Sequence, residues 1–306
     1  MWFQAHVGAR GYKLKDVYWQ SGITKQGYHD ALQRQKRESA LLPCYLGFVL
    51  AVRKVHPGMG LRSIYENYQP EGIGRDAFIE IGKQGGLILE ERKAPHRTTY
   101  SSPFARYKNL TQGKTFTNVN QIWSSDITYY AFDGKFYYIV LIMDVFSRKI
   151  VGYSIADNMR AENNINALKS AIKSRKITHF DNQLIHHSDR GSQYIADDYT
   201  ELLKKSGILI SMCNSVYENS HIERVNGTIK NQYLVYWDAK DRKQLFLNTK
   251  KAINNYNSRP HLALDGMSPI QFEQIFNELP LKNKYHLSLF FDNNISISKQ
   301  LFLVFE

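Results

Sequence analysis

The sequence predicts an α/β protein, a mixed sheet with flanking helices preceded by a small helical region. Three observations carry this expectation. Apolar residues recur at helical spacing between Leu14 and Gln84. From Ile122 onward, three segments rich in β-branched and aromatic residues follow one another. Beyond them short apolar strands alternate with helical stretches, and the order βββαβαβα combines a meander with crossover helices.

The N-terminal stretches Leu14 to Tyr18 and Thr24 to Leu32 read as short helices separated by the turn-like Ser21-Gly22, the spacing of a small helix-turn-helix. Further helices are expected from Leu42 to Val55, from Leu61 to Tyr68 after the breaker His56-Pro57-Gly58, and from Arg75 to Gln84 before Gly85-Gly86. Residues 92–121 are polar, rich in Thr, Lys and Asn, and read as a linker. Then come WSSDITYYAF, KFYYIVLIMDVF and KIVGYSIA, with Asp133-Gly134 as a hairpin turn between the first two. A helix near Ala161 to Ser174, a strand at Gln183 to His187, a helix at Ala196 to Ser206 and a strand at Ile208 to Met212 complete the core. Asn219 to Tyr233 and Arg242 to Tyr256 read as helices, and LSLFFDNNISISKQLFLVFE as two strands around Asp292-Asn293-Asn294. The expected division is 1–91 helical and basic, 92–121 linker, 122–235 mixed α/β core, and 236–306 C-terminal helices and tail.

The chain has 306 residues, 43% of them apolar, which suffices for a buried core, and a formal net charge of +12. Residues 1–115 hold 18 Lys or Arg against 9 Asp or Glu, whereas residues 116–240 hold 14 against 13. A basic surface gains from releasing counterions condensed on nucleic acid, so the N-terminal region is the expected DNA-contacting part; a merely solvated basic face is the alternative. Cys44 and Cys213 are the two cysteines, and they provide neither a disulfide framework nor a thiolate zinc site by spacing. A reducing cytoplasmic setting is expected, with no signal peptide and no membrane span.

Three carboxylates stand out. Asp126 lies inside an aromatic strand, where an uncompensated carboxylate is costly. Asp189 follows His186-His187-Ser188 at the opening of a loop, and Glu223 falls on a helix. Singly, each reads as a salt-bridge partner or surface group; together they suit Mg²⁺, which takes oxygen ligands from a few carboxylates, phosphate and water. Two such ions about 4 Å apart activate an attacking oxygen and stabilise the leaving one at a phosphodiester. On the Glu223 helix, Glu223, Asn226, Gly227 and Lys230 share one face. Gly227 there serves either the close approach of a DNA backbone or simple packing. Arg190, His187, Ser188, Gln193 and Tyr194 surround the second acid and serve either DNA or a loop-stabilising network. Asp144 is expected to form a structural ion pair with Arg148, and Asp133, Asp197 and Asp198 to lie in a turn and on a helix surface.

These strings resemble those of the OrfB-type subunit of insertion-sequence transposases, within the DDE transposases and retroviral-type integrases. WSSDITYY resembles the first-acid strand, LIMDVFSRKIVGY the next strand pair, HHSDRGSQY the second-acid loop and YENSHIERVNGTIKNQY the third-acid helix. HPGMGLRSIY, IGRDAF and TTYSSPFARYKNL resemble the family's N-terminal helical region, and YNSRPHLALDGMSP its C-terminal signature. The resemblance covers about residues 12 to 275.

The resemblance implies a ribonuclease-H-like core with Asp126, Asp189 and Glu223 as catalytic acids and metal ligands, two Mg²⁺ ions per site, and Mn²⁺ as a possible substitute. It also implies cleavage at terminal inverted repeats and attack of the freed 3′ hydroxyl on target DNA. Lys230, Arg224, Asn226, Arg190 and His187 are then the candidate DNA-binding residues. The implied partners are DNA, an upstream-frame OrfA-type subunit or fusion, and further copies of the chain, in the bacterial cytoplasm at the nucleoid. The interval between Asp189 and Glu223 is slightly shorter than is usual in the family, which suggests a trimmed loop near Ser211 to Ser215; Glu218 is the nearest rival for the third acid. Two alternatives stay open from residues alone: a ribonuclease-H-like nuclease without strand transfer, and an inactive DNA-binding regulator.

Overall fold

Along strand β3 (Lys135–Asp144), Ile139, Leu141 and Met143 enter one apolar cluster while Val140 and Ile142 enter another. A strand apolar on both faces must be covered on both faces, and its surroundings follow from that. The structure, a computed structural model, describes residues 14–90, 106–214, 216–279, 287–290 and 299–301. Residues 1–13, residues 92–105 of the expected linker and the Asp292–Asn294 turn lie outside the described residues.

The central sheet has the order β4-β3-β2-β5-β6, with β2 at Ile122–Phe132, β4 at Ile150–Ala156, β5 at Leu184–Ser188 and β6 at Ile208–Met212. β2, β3 and β4 form the antiparallel meander, and β5 and β6 add in parallel beside β2. This is the expected ribonuclease-H-like arrangement. Asp133 (φ 49°) and Gly134 (φ 68°) both occupy the left-handed region that a two-residue hairpin with strand-matching twist requires.

Helices α5 (Ala161–Arg175) and α6 (Asp197–Lys205) cover one face, where Ala167, Leu168, Tyr199 and Leu203 meet Trp123 and Val140. Gly152 on β4 permits the contact, since a Cβ there would lie 2.4 Å from the Ala167 carbonyl oxygen. The other face is covered by α7 (Ser220–Thr228) and its continuation, α8 (Arg242–Ser258) and α9 (Pro269–Glu278). Sequence periodicity passed over α9, although Ser268 and Gln271 form a capping box ahead of it.

The N-terminal helices are α1 (Leu14–Ser21), α2 (Lys25–Val55), α3 (Leu61–Tyr68) and α4 (Arg75–Gln84). The last three share a small core of their own containing Val49, Met59, Ile64 and Phe78. The two helices expected at Thr24–Leu32 and Leu42–Val55 are a single helix of 31 residues that contains Pro43. The intervening QRQKRESA lacks an apolar stripe but consists mostly of strong helix formers, so propensity carries the helix where periodicity ends. This region docks on the core: the Gly58 amide donates to the Gln232 carbonyl at 2.9 Å, and Asn255 Nδ2 to the Val55 carbonyl at 3.0 Å.

Two further expectations are corrected. The helix expected from Asn219 to Tyr233 begins as a 3₁₀ turn (Val216–Asn219), becomes α7, and passes through a π-helix (Ile229–Leu234) into Val235–Trp237. Asp144 pairs with Arg175, at 2.9 Å, and not with Arg148, which meets His221. Arg175 also reaches Glu273 at 2.7 Å on α9, a partner too distant in sequence to foresee. The two tail strands form as β7 (Leu287–Phe290) and β8 (Lys299–Leu301), with β1 (Thr115–Phe116) paired to β7. Among the described residues no helix is long and apolar enough to cross a membrane.

Candidate active site

The strand pairing brings two of the acids side by side. In the parallel pair β2–β5, Ser125 stands opposite Ser188, so Asp126, next on β2, and Asp189, the first residue beyond β5, follow directly from that pair. Burial, with Asp189 beside it, pushes the Asp126 carboxyl up to about 7. The Asn226 amide and the Ile127 backbone bond pull it back, and Glu223 adds a smaller push upward. Burial raises Asp189 as well, against the bond that its Oδ1 accepts from the Gly191 amide at 3.0 Å.

Glu223 lies exposed in the first turn of α7, and that helix is pinned to β2 by two buried asparagines. Asn219 Nδ2 donates to the Ser125 carbonyl at 3.0 Å and its Oδ1 meets the Ser124 hydroxyl. Asn226 Nδ2 donates to Asp126 Oδ2 at 2.7 Å. Asn219 was not singled out in the sequence; its signal, a polar residue one place before a helix, is shared with every ordinary cap.

The three carboxylates therefore gather at one end of the sheet, close enough for Asp126 to feel both others. Their oxygens do not all fall within 4.8 Å of one another; among the described residues the group that does is His187, Cys213 and Glu218. Two ions about 4 Å apart, with Mg–O bonds of about 2.1 Å, allow acids on opposite ions to stand up to roughly 8 Å apart, so a pair of hard cations does not require all three acids to fall within 4.8 Å of one another. The donor set is oxygen only, and mutual repulsion in a partly desolvated place is what a divalent ion would relieve.

The other candidate residues fall in distinct surroundings. Lys230 sits 5.1 Å from the Tyr129 ring centroid; desolvation lowers its ammonium, and nearby Asp126 opposes that. Arg224 is exposed on α7. Arg190 Nε donates to the Cys213 carbonyl at 2.9 Å and its Nη2 to the Asn214 carbonyl, which ties the second-acid loop to the chain leading into α7. His187 is buried between Ser211 Oγ (2.9 Å) and Cys213 Sγ (3.2 Å), and burial lowers its imidazole to about 4. Asn226 is buried as well, so the shared helix face presents Glu223, Gly227 and Lys230 outward while Asn226 serves Asp126. Among the described residues a Cβ on Gly227 would meet only Asn231 Nδ2, at 4.0 Å, so packing against these residues does not explain that glycine. Tyr194 braces the floor of the site, its hydroxyl 3.0 Å from Ser125 Oγ.

The integrase core domain family matches residues 117–216, and a second integrase core domain model matches residues 209–269. The chain is 30% identical to the transposase for insertion sequence element IS629 of Shigella sonnei, over 70% of this chain and 73% of that protein. It belongs to the insertion-sequence transposases. It is also 28% identical to the 31 kDa protein of insertion element IS600 of Shigella sonnei, over 84% of this chain and 97% of that protein. Among solved structures it is similar to the HTLV-2 integrase catalytic core domain in complex with magnesium, at 21% identity and a TM-score of 0.42, covering 54% of this chain and 99% of that one. The transposase thus carries Asp126 and Asp189 within the first matched region and Glu223 within the second.

Proposed function

We propose that this transposase cleaves DNA at the ends of its element and joins the freed 3′ hydroxyls to target DNA, using Asp126, Asp189 and Glu223 to hold two Mg²⁺ ions. The observation that carries the reading is that Asp189 follows β5 directly beyond the Ser125–Ser188 pair, beside Asp126 on β2, with Glu223 near enough to act on the same carboxyl. When bound, the ions would activate the attacking oxygen and stabilise the leaving one, and Mn²⁺ would serve in their place. Asn226 holds the Asp126 carboxylate in one orientation, and Asn219 holds the helix that presents Glu223. Gly227 and Lys230 offer a shallow cationic surface beside the acids where a phosphodiester backbone can lie, with Arg224 exposed on the same helix. Arg190 and His187 act on the same chemistry by fixing the loop that carries Asp189.

The basic N-terminal helices, through residue 91, would contact the inverted repeats, with residues 92–121 as their connection to the core. The active assembly would contain further copies and an upstream-frame OrfA-type partner, separate or fused. Asp126→Asn, Asp189→Asn and Glu223→Gln should each abolish cleavage and joining of element-end DNA while leaving DNA binding near that of the unaltered chain. Normal joining by any one of them would remove that acid from the site. Cleavage without joined product in the unaltered chain would favour a nuclease instead.

A further inference from the structure

Beside the acid triad lies a second cluster of a different chemical kind. His187 is the last residue but one of a buried strand, Cys213 follows the adjacent strand, and Glu218 stands on the 3₁₀ turn beyond it; one ligand atom from each lies within 4.8 Å of the others. Because His187 pairs with Ser211, Cys213 lies two residues further along and on the same face of the sheet. The Cys213 amide also donates to the Ser188 carbonyl at 2.9 Å, which fixes the two strand ends together.

We propose that His187, Cys213 and Glu218 form a binding site for zinc or a comparable borderline-soft divalent ion, separate from the oxygen-only acid triad. Nitrogen, sulfur and a carboxylate oxygen are the donor mixture that zinc takes and that Mg²⁺ does not seek. The supporting groups are in place. Ser211 Oγ lies 2.9 Å from His187 Nδ1 and accepts the Leu110 amide at 2.9 Å, so a proton on Nδ1 leaves the Nε2 lone pair directed at the sulfur. Glu218 Oε2 accepts from Asn109 Nδ2 at 2.8 Å and from the Asn214 amide at 2.6 Å, which orients the carboxylate. Tetrahedral bonds of about 2.3 Å to sulfur and about 2.0 Å to nitrogen place those atoms roughly 3.6 Å apart. The observed 3.2 Å separation of Nε2 and Sγ therefore has to open by only a few tenths of an ångström.

Binding converts the thiol to a thiolate and passes its proton to the buffer, with no change in oxidation state. The ion would clamp the strand that leads into Asp189 to the segment that leads into α7 and Glu223. It is structural in this reading, and its presence does not depend on which reaction the triad performs.

The test uses the full chain carrying Cys44→Ser; Cys44 is exposed, and its replacement leaves Cys213 as the one thiol. Cobalt(II) is titrated in the presence of excess Mg²⁺. The expected result is a saturable thiolate-to-cobalt absorption at one ion per chain, displaced by zinc, with a higher unfolding midpoint when zinc is present. Asp126→Asn should leave the absorption unchanged, which separates this site from the triad. His187→Gln and Glu218→Gln should each weaken cobalt binding at least tenfold. Absence of the absorption in the Cys44→Ser chain overturns the proposal without recourse to the ligand variants. So does an absorption that persists unchanged in Glu218→Gln, the partly exposed position least expected to disturb folding.

Discussion

His56 Nδ1 lies 2.7 Å from the Tyr233 hydroxyl, and that contact joins the N-terminal helices to the helical run carrying Glu223. His56 terminates α2, while Tyr233 sits in the π-helical section, six residues past Gly227 and ten past Glu223 in the same run. Beside this pair, the Gly58 amide bonds to the Gln232 carbonyl. The region with most of the chain's excess positive charge is thereby braced against the element that presents the third acid.

Burial, reinforced by repulsion from Arg259, lowers His56 to about 4. The unfolded imidazole protonates near 6.5, so the folded state binds fewer protons between these values. Stability should therefore be lost as pH falls from about 6.5 toward 4, by up to about 3 kcal/mol from this group. His56→Gln should flatten that part of the difference between variant and unaltered chain in urea unfolding at several pH values. An identical pH dependence in both would show that His56 does not couple to the interface.

Gly58 allows the same docking by its lack of a side chain. A Cβ there would stand 2.5 Å from Gln232 Cα and 2.6 Å from the Tyr236 ring, and backbone cannot yield as a flexible side-chain tip can. Gly58→Ala should cost ~1–3 kcal/mol by overpacking. Local opening at the α2–α3 junction should show as faster amide exchange of Gly58 and Met59, with the sheet amides unaffected.

The acids show how far the primary structure could be read. Asp126 was conspicuous because an aromatic strand rarely carries a carboxylate, and the meander around it was legible from alternation and from Asp133-Gly134. Asn219 and Asn226, the two groups that dock α7 on β2, carry no such contrast with their neighbours. The Arg175 partnership joins residues 31 and 98 positions apart, and the cluster of His187, Cys213 and Glu218 depends on strand register. Local pattern reports burial and period; it does not report which distant polar groups meet.

Asn226 is expected to act on the metal through Asp126. Its donated hydrogen bond favours the ionised carboxylate, against burial and the neighbouring acids. Asn226→Ala should weaken Mg²⁺ binding about 10- to 100-fold at neutral pH, as loss of a group that orients a ligand commonly does. Raising the pH should recover part of the loss, because the proton competing for Asp126 is then removed. Calorimetric Mg²⁺ titrations at pH 7 and pH 9 would show this; an equal deficit at both would mean that Asn226 shapes the site without tuning Asp126.

Asp126 itself should leave a mark on the metal-free chain. With its folded value raised to about 7, the native state holds a proton that the unfolded chain has already released, so stability should fall as pH rises from about 4 to 7. Asp126→Asn should remove that decline, and the variant should be the more stable of the two at neutral pH in chelator. A variant less stable than the unaltered chain at pH 8 would mean that the carboxylate is already balanced by a neighbour.

Arg175 offers a stability test remote from the chemistry. Its guanidinium bonds Asp144 at 2.9 Å and Glu273 at 2.7 Å, while Lys149 reaches the same Glu273 at 2.6 Å, so one cation holds β3, α5 and α9 together. Asp144 is fully buried, and burial pushes its carboxyl upward while Arg175 opposes the shift. Arg175→Met would keep most of the volume and leave Asp144 without its cation, at a cost of about 3–5 kcal/mol. The double variant Arg175→Met with Asp144→Asn should recover part of that loss, since an amide costs less to bury than an unpaired carboxylate. If the single and double variants unfold at the same urea concentration, the Asp144 charge is not what Arg175 compensates, and the stability of this corner rests on Glu273 instead.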